Sequence, residues 1–165
     1  MVTSGNISDS SKAPSASGEG NSYEFNARGV LQLYGDFIEG TPNCTLAVLS
    51  KGPLSAEARA AFQASAEHLG YGKDACAWIV LESDAGQLGP SDVLSVLEGL
   101  DPRGVVAADA HAASCVSGAY SVPFKLDAAN RAGCRTVVAL SDFEGALHDD
   151  DAKRKAWAAL KKLSR

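Results

Sequence analysis

A chain of 165 residues has room for one domain with a sizeable core and not comfortably for two. Its formal charge of −5 argues against a protein that wraps nucleic acid, and no stretch approaches the roughly 18 consecutive apolar residues of a membrane span. The N-terminus shows neither a basic n-region nor an apolar h-region, so a cytoplasmic protein is expected. Four cysteines, at positions 44, 76, 115 and 134, lie far apart without a C-x-x-C, which suits reduced, packed thiols better than a disulfide frame or a zinc knuckle.

Residues 1–22 are mostly Ser, Gly, Asn and Ala with almost no bulky apolar side chain, so they bury too little surface to offset the entropy of ordering. A disordered tail is expected there, followed by one domain over 23–165. From Asn26, the residues Val30, Leu31, Tyr34, Phe37 and Ile38 recur at helical spacing, and Gly40-Thr41-Pro42 ends the segment. Thr45–Leu49 reads as the first strand, left through the turn Ser50-Lys51-Gly52-Pro53. Ser55 then caps a helix striped by Ala58, Ala61, Phe62, Ser65 and Leu69 and closed at Gly70.

The plan repeats. Cys76–Leu81 is a second apolar run, Glu82–Pro90 a loop, and Ser91 opens a helix with Val93, Val96, Leu97 and Leu100 on one side. Asp101-Pro102 stops that helix, because proline lacks an N–H and pushes the preceding residue out of helical space. Val105–Ala108 is the third strand, of the continuously apolar kind covered on both faces, and Asp109 is placed to cap Ala110–Val116. Ala119–Phe124 reads as loop, Leu126–Ala132 as a short helix closed by Gly133, and Thr136–Leu140 as the fourth strand. In the last helix Asp149, Asp150 and Asp151 stand at the start and Lys161, Lys162 and Arg165 at the end, matching the helix dipole, with Ala156, Trp157, Leu160 and Leu163 toward the sheet. Strands alternating with helices predict right-handed parallel crossovers, hence an α/β fold: a three-layer αβα sandwich around a four-stranded, mainly parallel sheet.

Two blocks resemble the uracil-DNA glycosylase-like superfamily. In Leu100–Ala113 (LDPRGVVAADAHAA), Pro102, Arg103, Ala112 and Ala113 match the family, while Asp109 stands where the family usually has glycine. In the tail, Leu147, Lys153, Arg154, Trp157, Leu160 and Lys161 match the segment that begins with the family's active-site His-Pro; Asp142 falls on the histidine and Phe143 on the proline. The family's water-orienting turn after the first strand is replaced by Ser50-Lys51-Gly52-Pro53. No asparagine lies between Ala77 and Gly86 to read a base, and the cluster cysteines of the iron-sulfur branch are missing. The resemblance therefore implies the fold with the glycosylase chemistry lost, a role in DNA replication or repair as a binding or assembly module, and another protein as partner. The psi subunit of bacterial DNA polymerase III looks like the same fold turned to protein contacts.

Ligands of a parallel sheet gather at the carboxyl ends of its strands. The expected crevice residues are Ser50, Lys51, Glu82, Ser83, Asp84, Asp109, Ser141 and Asp142, with His111 and Glu144 beside them. This rim is acidic and would repel a duplex carrying about one charge per 1.7 Å of axis, so strong direct DNA binding is not expected. The competing reading is an enzyme: a divergent glycosylase, or a phosphate enzyme holding Mg²⁺ through Asp109 and Asp142, with His111 as general base. Against it stand plainer roles, Asp109 as a helix cap and His111 as an exposed helix residue without an orienting partner. Cys44, Cys76 and Cys134 each begin a strand, so they would share the opposite edge, but their spacing is not that of metal ligands. No cofactor or metal is implied. The crevice would alternatively hold a small ligand, and the helix Asn26–Ile38 is a second surface for a partner.

Overall fold

The computed structural model describes residues 22–40 and 44–163, with side chains from residue 27 onward. Residues 1–21 of the expected tail, Thr41 and Pro42 of the first turn, and Arg165 lie outside the described residues. In chain order the elements are α1 (Ser22–Tyr34), a 3-10 turn (Gly35–Phe37), β1 (Ile38–Glu39), β2 (Leu46–Ser50), α2 (Ala56–His68), β3 (Cys76–Val80), β4 (Glu82–Ser83), β5 (Gly86–Gln87), α3 (Pro90–Leu100), β6 (Gly104–Ala107), α4 (Ala110–Tyr120), β7 (Ala128–Ala132), β8 (Arg135–Ala139), α5 (Phe143–Ala146), α6 (Asp150–Leu160) and a closing 3-10 turn (Lys161–Leu163).

The four expected strands are β2, β3, β6 and β8. They run parallel in the order β3-β2-β6-β8, with Leu46 level with Cys76 on one side and with Gly104 on the other, and Gly104 level with Thr136. The chain therefore reverses its winding between β2 and β6, and the crevice of such a sheet lies where those two strands end. The sheet has six strands rather than four, because β1 joins β3 and β7 joins β8, both antiparallel.

Strand side chains alternate between two apolar clusters. Ala47, Leu49, Ile79, Val105 and Val137 lie in the one that includes Val30, Val93, Leu97 and Val116 from α1, α3 and α4. Leu46, Val48, Val106, Val138 and Leu140 lie in the other, with Phe62 from α2, Phe143 from α5 and Leu160 from α6. Both faces of the sheet are thus covered, which is why β2 and β6 are buried at every residue. Gly104 opens β6 because a Cβ there would stand 2.8 Å from the Tyr71 hydroxyl, which donates to the Leu163 carbonyl at 2.9 Å.

Caps fall where the sequence puts them: Ser55 Oγ accepts from Ala58 N, Asp109 Oδ1 from Ala112 N, and Asp149 caps α6. Leu126–Ala132 is the main correction. It is not a short helix: Ala128–Ala132 pairs with β8 through a two-residue turn, Gly133-Cys134, in which Gly133 has φ +64°. A glycine at positive φ serves a helix end and the first central position of a type II′ hairpin equally well, and Ala, Asn and Arg carry no strand propensity to separate the two. The first helix lies four residues earlier than read at both ends, since it begins at Ser22, while Phe37 lies in a 3-10 turn and Ile38 in β1. The loop expected over Glu82–Pro90 contains the small β4–β5 hairpin, and α4 runs on to Tyr120.

Candidate functional site: the carboxyl-end crevice

The strand ends at the switch point are fastened to each other through backbone groups. Leu81 N donates to Ser50 O and Glu82 N to Lys51 O, both at 2.9 Å, while Ala108 N donates to Leu49 O at 2.8 Å. Asp109 and Asp142 face each other across an isolated antiparallel bridge, with Ala110 N donating to Ser141 O and Phe143 N to Ala108 O. The structure thus brings the expected crevice residues of β2, β6 and β8 together.

Their carboxylates hold the loops in place. Asp109 accepts from Lys51 N through Oδ2 and from Ala112 N through Oδ1, each at 2.8 Å, so one carboxylate ties the turn after β2 to the start of α4. Asp142 accepts from Gly145 N at 3.1 Å and caps α5. Glu144 takes Ser55 N at 2.7 Å and Ser55 Oγ at 2.8 Å, latching α5 to the start of α2. Ser141 donates its N–H and its hydroxyl to Asp127, and the buried Ser50 hydroxyl donates to Gly52 O at 2.7 Å. An amide N–H that would otherwise be an orphan at a helix start or a turn has a carboxylate or hydroxyl oxygen in each case.

His111 does have a partner: its Nε2 lies 3.6 Å from Glu82 Oε2, bridging the end of β3 to the first turn of α4. The imidazole is 44% exposed and the pair sits at the rim. Ser83 Oγ accepts from Ala85 N inside the β4–β5 turn, and Asp84 is exposed on it. Phe143 is buried and stacks on Phe62 with ring centroids 3.9 Å apart, a core role for the residue beside Asp142.

Beyond the bridge a cleft of about 230 Å³ opens between the end of β8 and α6, lined by Asp127, Asp142, Asp149 and Asp151 with Lys155. Asp127 was missed by the sequence reading because the segment was taken as helix; its φ of +57° and its place before the Gly133 hairpin mark it as a turn residue instead. Among the described residues no group of three or more His, Cys, Asp or Glu is disposed to hold a metal ion. The basic run Lys153-Arg154-Lys155 does not spread over the crevice: Arg154 pairs with Asp151 at 2.6 Å and Lys155 lines the acidic cleft.

Cys44, Cys76 and Cys134 stand at the amino ends of their strands as read, with Cys44 close enough to Cys76 to act on its thiol and Cys134 apart from them in the hairpin turn. Cys44 and Cys76 are buried at the amino ends of β2 and β3, where burial pushes their thiols up to about 11 and about 12, whereas Cys134 is exposed in the β7–β8 turn. Burial also raises the Cys115 thiol, which sits 3.8 Å from Leu88 O. No helix among the described residues is long and apolar enough to cross a membrane. No protein-family model matches this chain, and a search of curated proteins finds no significant match.

Proposed function

We propose that this chain is a non-catalytic binding or assembly module on a uracil-DNA glycosylase-like αβα sandwich, acting on a protein partner in DNA replication or repair. One observation carries the reading: the carboxylates that an enzyme of this fold would aim at a substrate from Asp109 and Asp142 are spent on the backbone amides of their own loops. A general base must be aimed at the proton it removes. Asp109 has each oxygen aimed at a backbone N–H, of Lys51 and of Ala112, and Asp142 aims Oδ1 at Gly145 N while its backbone is bridged to Asp109.

The acidic rim argues in the same direction, since phosphate contacts call for Lys and Arg there.

The test is excision of uracil from single-stranded and duplex oligonucleotides at high protein concentration, with DNA binding followed by anisotropy at low salt. Neither excision nor tight binding is expected. Excision by the native chain that disappears in His111→Ala, a half-exposed position whose loss leaves the loop staples intact, would overturn the reading and make the Glu82–His111 pair the working group.

A further inference from the structure

The two edges of the sheet differ. At one, β1 is two residues long, and the Gly40 that follows is so close to β3 that a Cβ on it would stand 2.9 Å from Cys76 O. A further strand has little to pair with there. At the other, β7 is five residues long and, among the described residues, pairs only on its β8 side. Because Ala132 and Arg135 close a two-residue hairpin, the backbone groups of Ala132, Asn130 and Ala128 turn toward β8, and those of Ala129 and Arg131 turn outward. Ala129 and Arg131 are both exposed, and a side chain no larger than alanine at the centre leaves the outward groups open to another strand. Such an edge is a template for pairing unless something covers it.

The charges beside β7 select the occupant. Asp127 and Arg131 stand two residues on either side of Ala129, so an antiparallel, two-fold apposition of β7 with itself carries Arg131 of each copy to Asp127 of the other. Asp127, exposed and accepting from Ser141, lies in the cleft that also holds Asp142, Asp149 and Asp151, where the nearby cations are Lys155 and the Arg154 paired with Asp151, so the incoming guanidinium still meets a surplus of negative charge. Leu126, 43% exposed and next to Asp127, supplies an apolar shoulder at the end of the same strand. We propose that two copies of this chain associate edge to edge through β7, continuing the sheet across the two-fold axis, with Arg131 of each copy paired to Asp127 of its partner.

Sedimentation equilibrium of the full chain tests this, together with the distance between spin labels on the exposed Cys134 thiol. The expected result is a particle of twice the chain's mass that weakens with added salt, with labels roughly 30 Å apart, since four to five residues at about 3.4 Å each separate Cys134 from the axis on either side. Arg131→Glu, at an exposed position, should raise the dimer dissociation constant at least tenfold. Ala129→Pro removes an outward N–H without touching the β8 ladder and should do the same, with an unchanged far-ultraviolet spectrum as control. A chain that stays monomeric at millimolar concentration overturns the proposal, and so does a dimer indifferent to both substitutions or one with a label distance far from 30 Å.

Discussion

The two ends of the parallel sheet handle charge in opposite ways. At the carboxyl ends Asp109, Asp142 and Glu144 lie near solvent, and each takes backbone N–H groups from the start of a helix or a turn. At the amino ends a single cation is buried: the Arg135 side chain is 8% exposed and donates to Asp101 and to Pro102 O at 2.9 Å and to Glu98 at 3.2 Å, with the Tyr120 hydroxyl 3.4 Å from its Nε. The polarity of the βα unit accounts for the carboxylates, and Arg135, which opens β8 after a hairpin, answers the neighbouring C-terminus of α3 through Glu98, Asp101 and Pro102 O. A strand's carboxyl end leads to a helix N-terminus with spare N–H groups, and its amino end follows a helix C-terminus with spare carbonyls, so anions suit the first and cations the second. Carboxylates at the rim are therefore what the fold itself calls for, and an acidic crevice is weak grounds for catalysis.

The contrast breaks most visibly at Arg135. Removing it takes away several charge-assisted hydrogen bonds and leaves Pro102 O without its donor, whereas Glu98 and Asp101 are 54% and 44% exposed and can turn to water. Arg135→Met, which keeps most of the stem, is expected to cost about 2–3 kcal/mol by chemical denaturation. At this chain length that lowers Tm by roughly 5–10 °C. A loss under about 0.5 kcal/mol would place the weight of the amino end in its apolar packing and not in the arginine.

Asp109 is the matching residue at the other end. Asp109→Ala gives up the cap on α4 and the tie to Lys51 N together, an expected cost of about 1–2 kcal/mol. Asp109→Asn is more informative. As a simple cap asparagine would be nearly neutral, but both carboxylate oxygens here face N–H donors, and an amide sets its own NH₂ against one of them. It should therefore fall about midway between native and alanine. A fully stable asparagine variant would mean the Lys51 tie contributes nothing.

How much of this was legible in the chain depends on whether the signal was local. Ser55, Asp109 and Asp149 were readable as caps because a cap is a residue type at a helix start, and the four parallel strands were readable because each is an unbroken apolar run between punctuated helices. Arg135 was not singled out, since its partners lie 33 to 37 residues back and no spacing rule joins them. Glu144 was expected at the rim, but its latch on Ser55 spans 89 residues. The antiparallel edges escaped for a different reason: β1 has two residues and β7 reads AANRA, so neither carries the β-branched or aromatic content by which a strand is known.

The Arg135 network also sets a dependence on pH. The Tyr120 hydroxyl, donating to Glu98 at 2.7 Å, does most to hold that carboxyl below its ordinary 4.5, with the Arg135 guanidinium adding to it. A folded-state value below the unfolded one means the unfolded chain binds the proton first. The stabilisation by Glu98 is thus complete above about pH 5 and is lost as the pH falls through the depressed folded value. Glu98→Gln should be less stable than the native chain at pH 7, and the gap should narrow as the pH falls below about 5. A gap that does not narrow with acid would mean the charge on Glu98 is not what stabilises the node.

The smallest effect belongs to the Glu144–Ser55 latch, and it decides whether the rim stiffens the molecule or only decorates it. Ser55 is exposed and Glu144 partly so, and water competes for the Ser55 N–H and hydroxyl, so the net value of the pair is expected to be about 0.5–1 kcal/mol. Ser55→Ala alone is ambiguous, because it also removes the oxygen that caps Ala58 N. A double-mutant cycle with Glu144→Ala isolates the coupling, since the lost cap cancels between the two arms. A coupling near 0.5 kcal/mol that shrinks in high salt is the expected outcome. A coupling of zero would leave α5 held by Phe143 stacked on Phe62. The fastening of the carboxyl end would then rest on Asp109 and on the backbone bridge from Asp109 to Asp142.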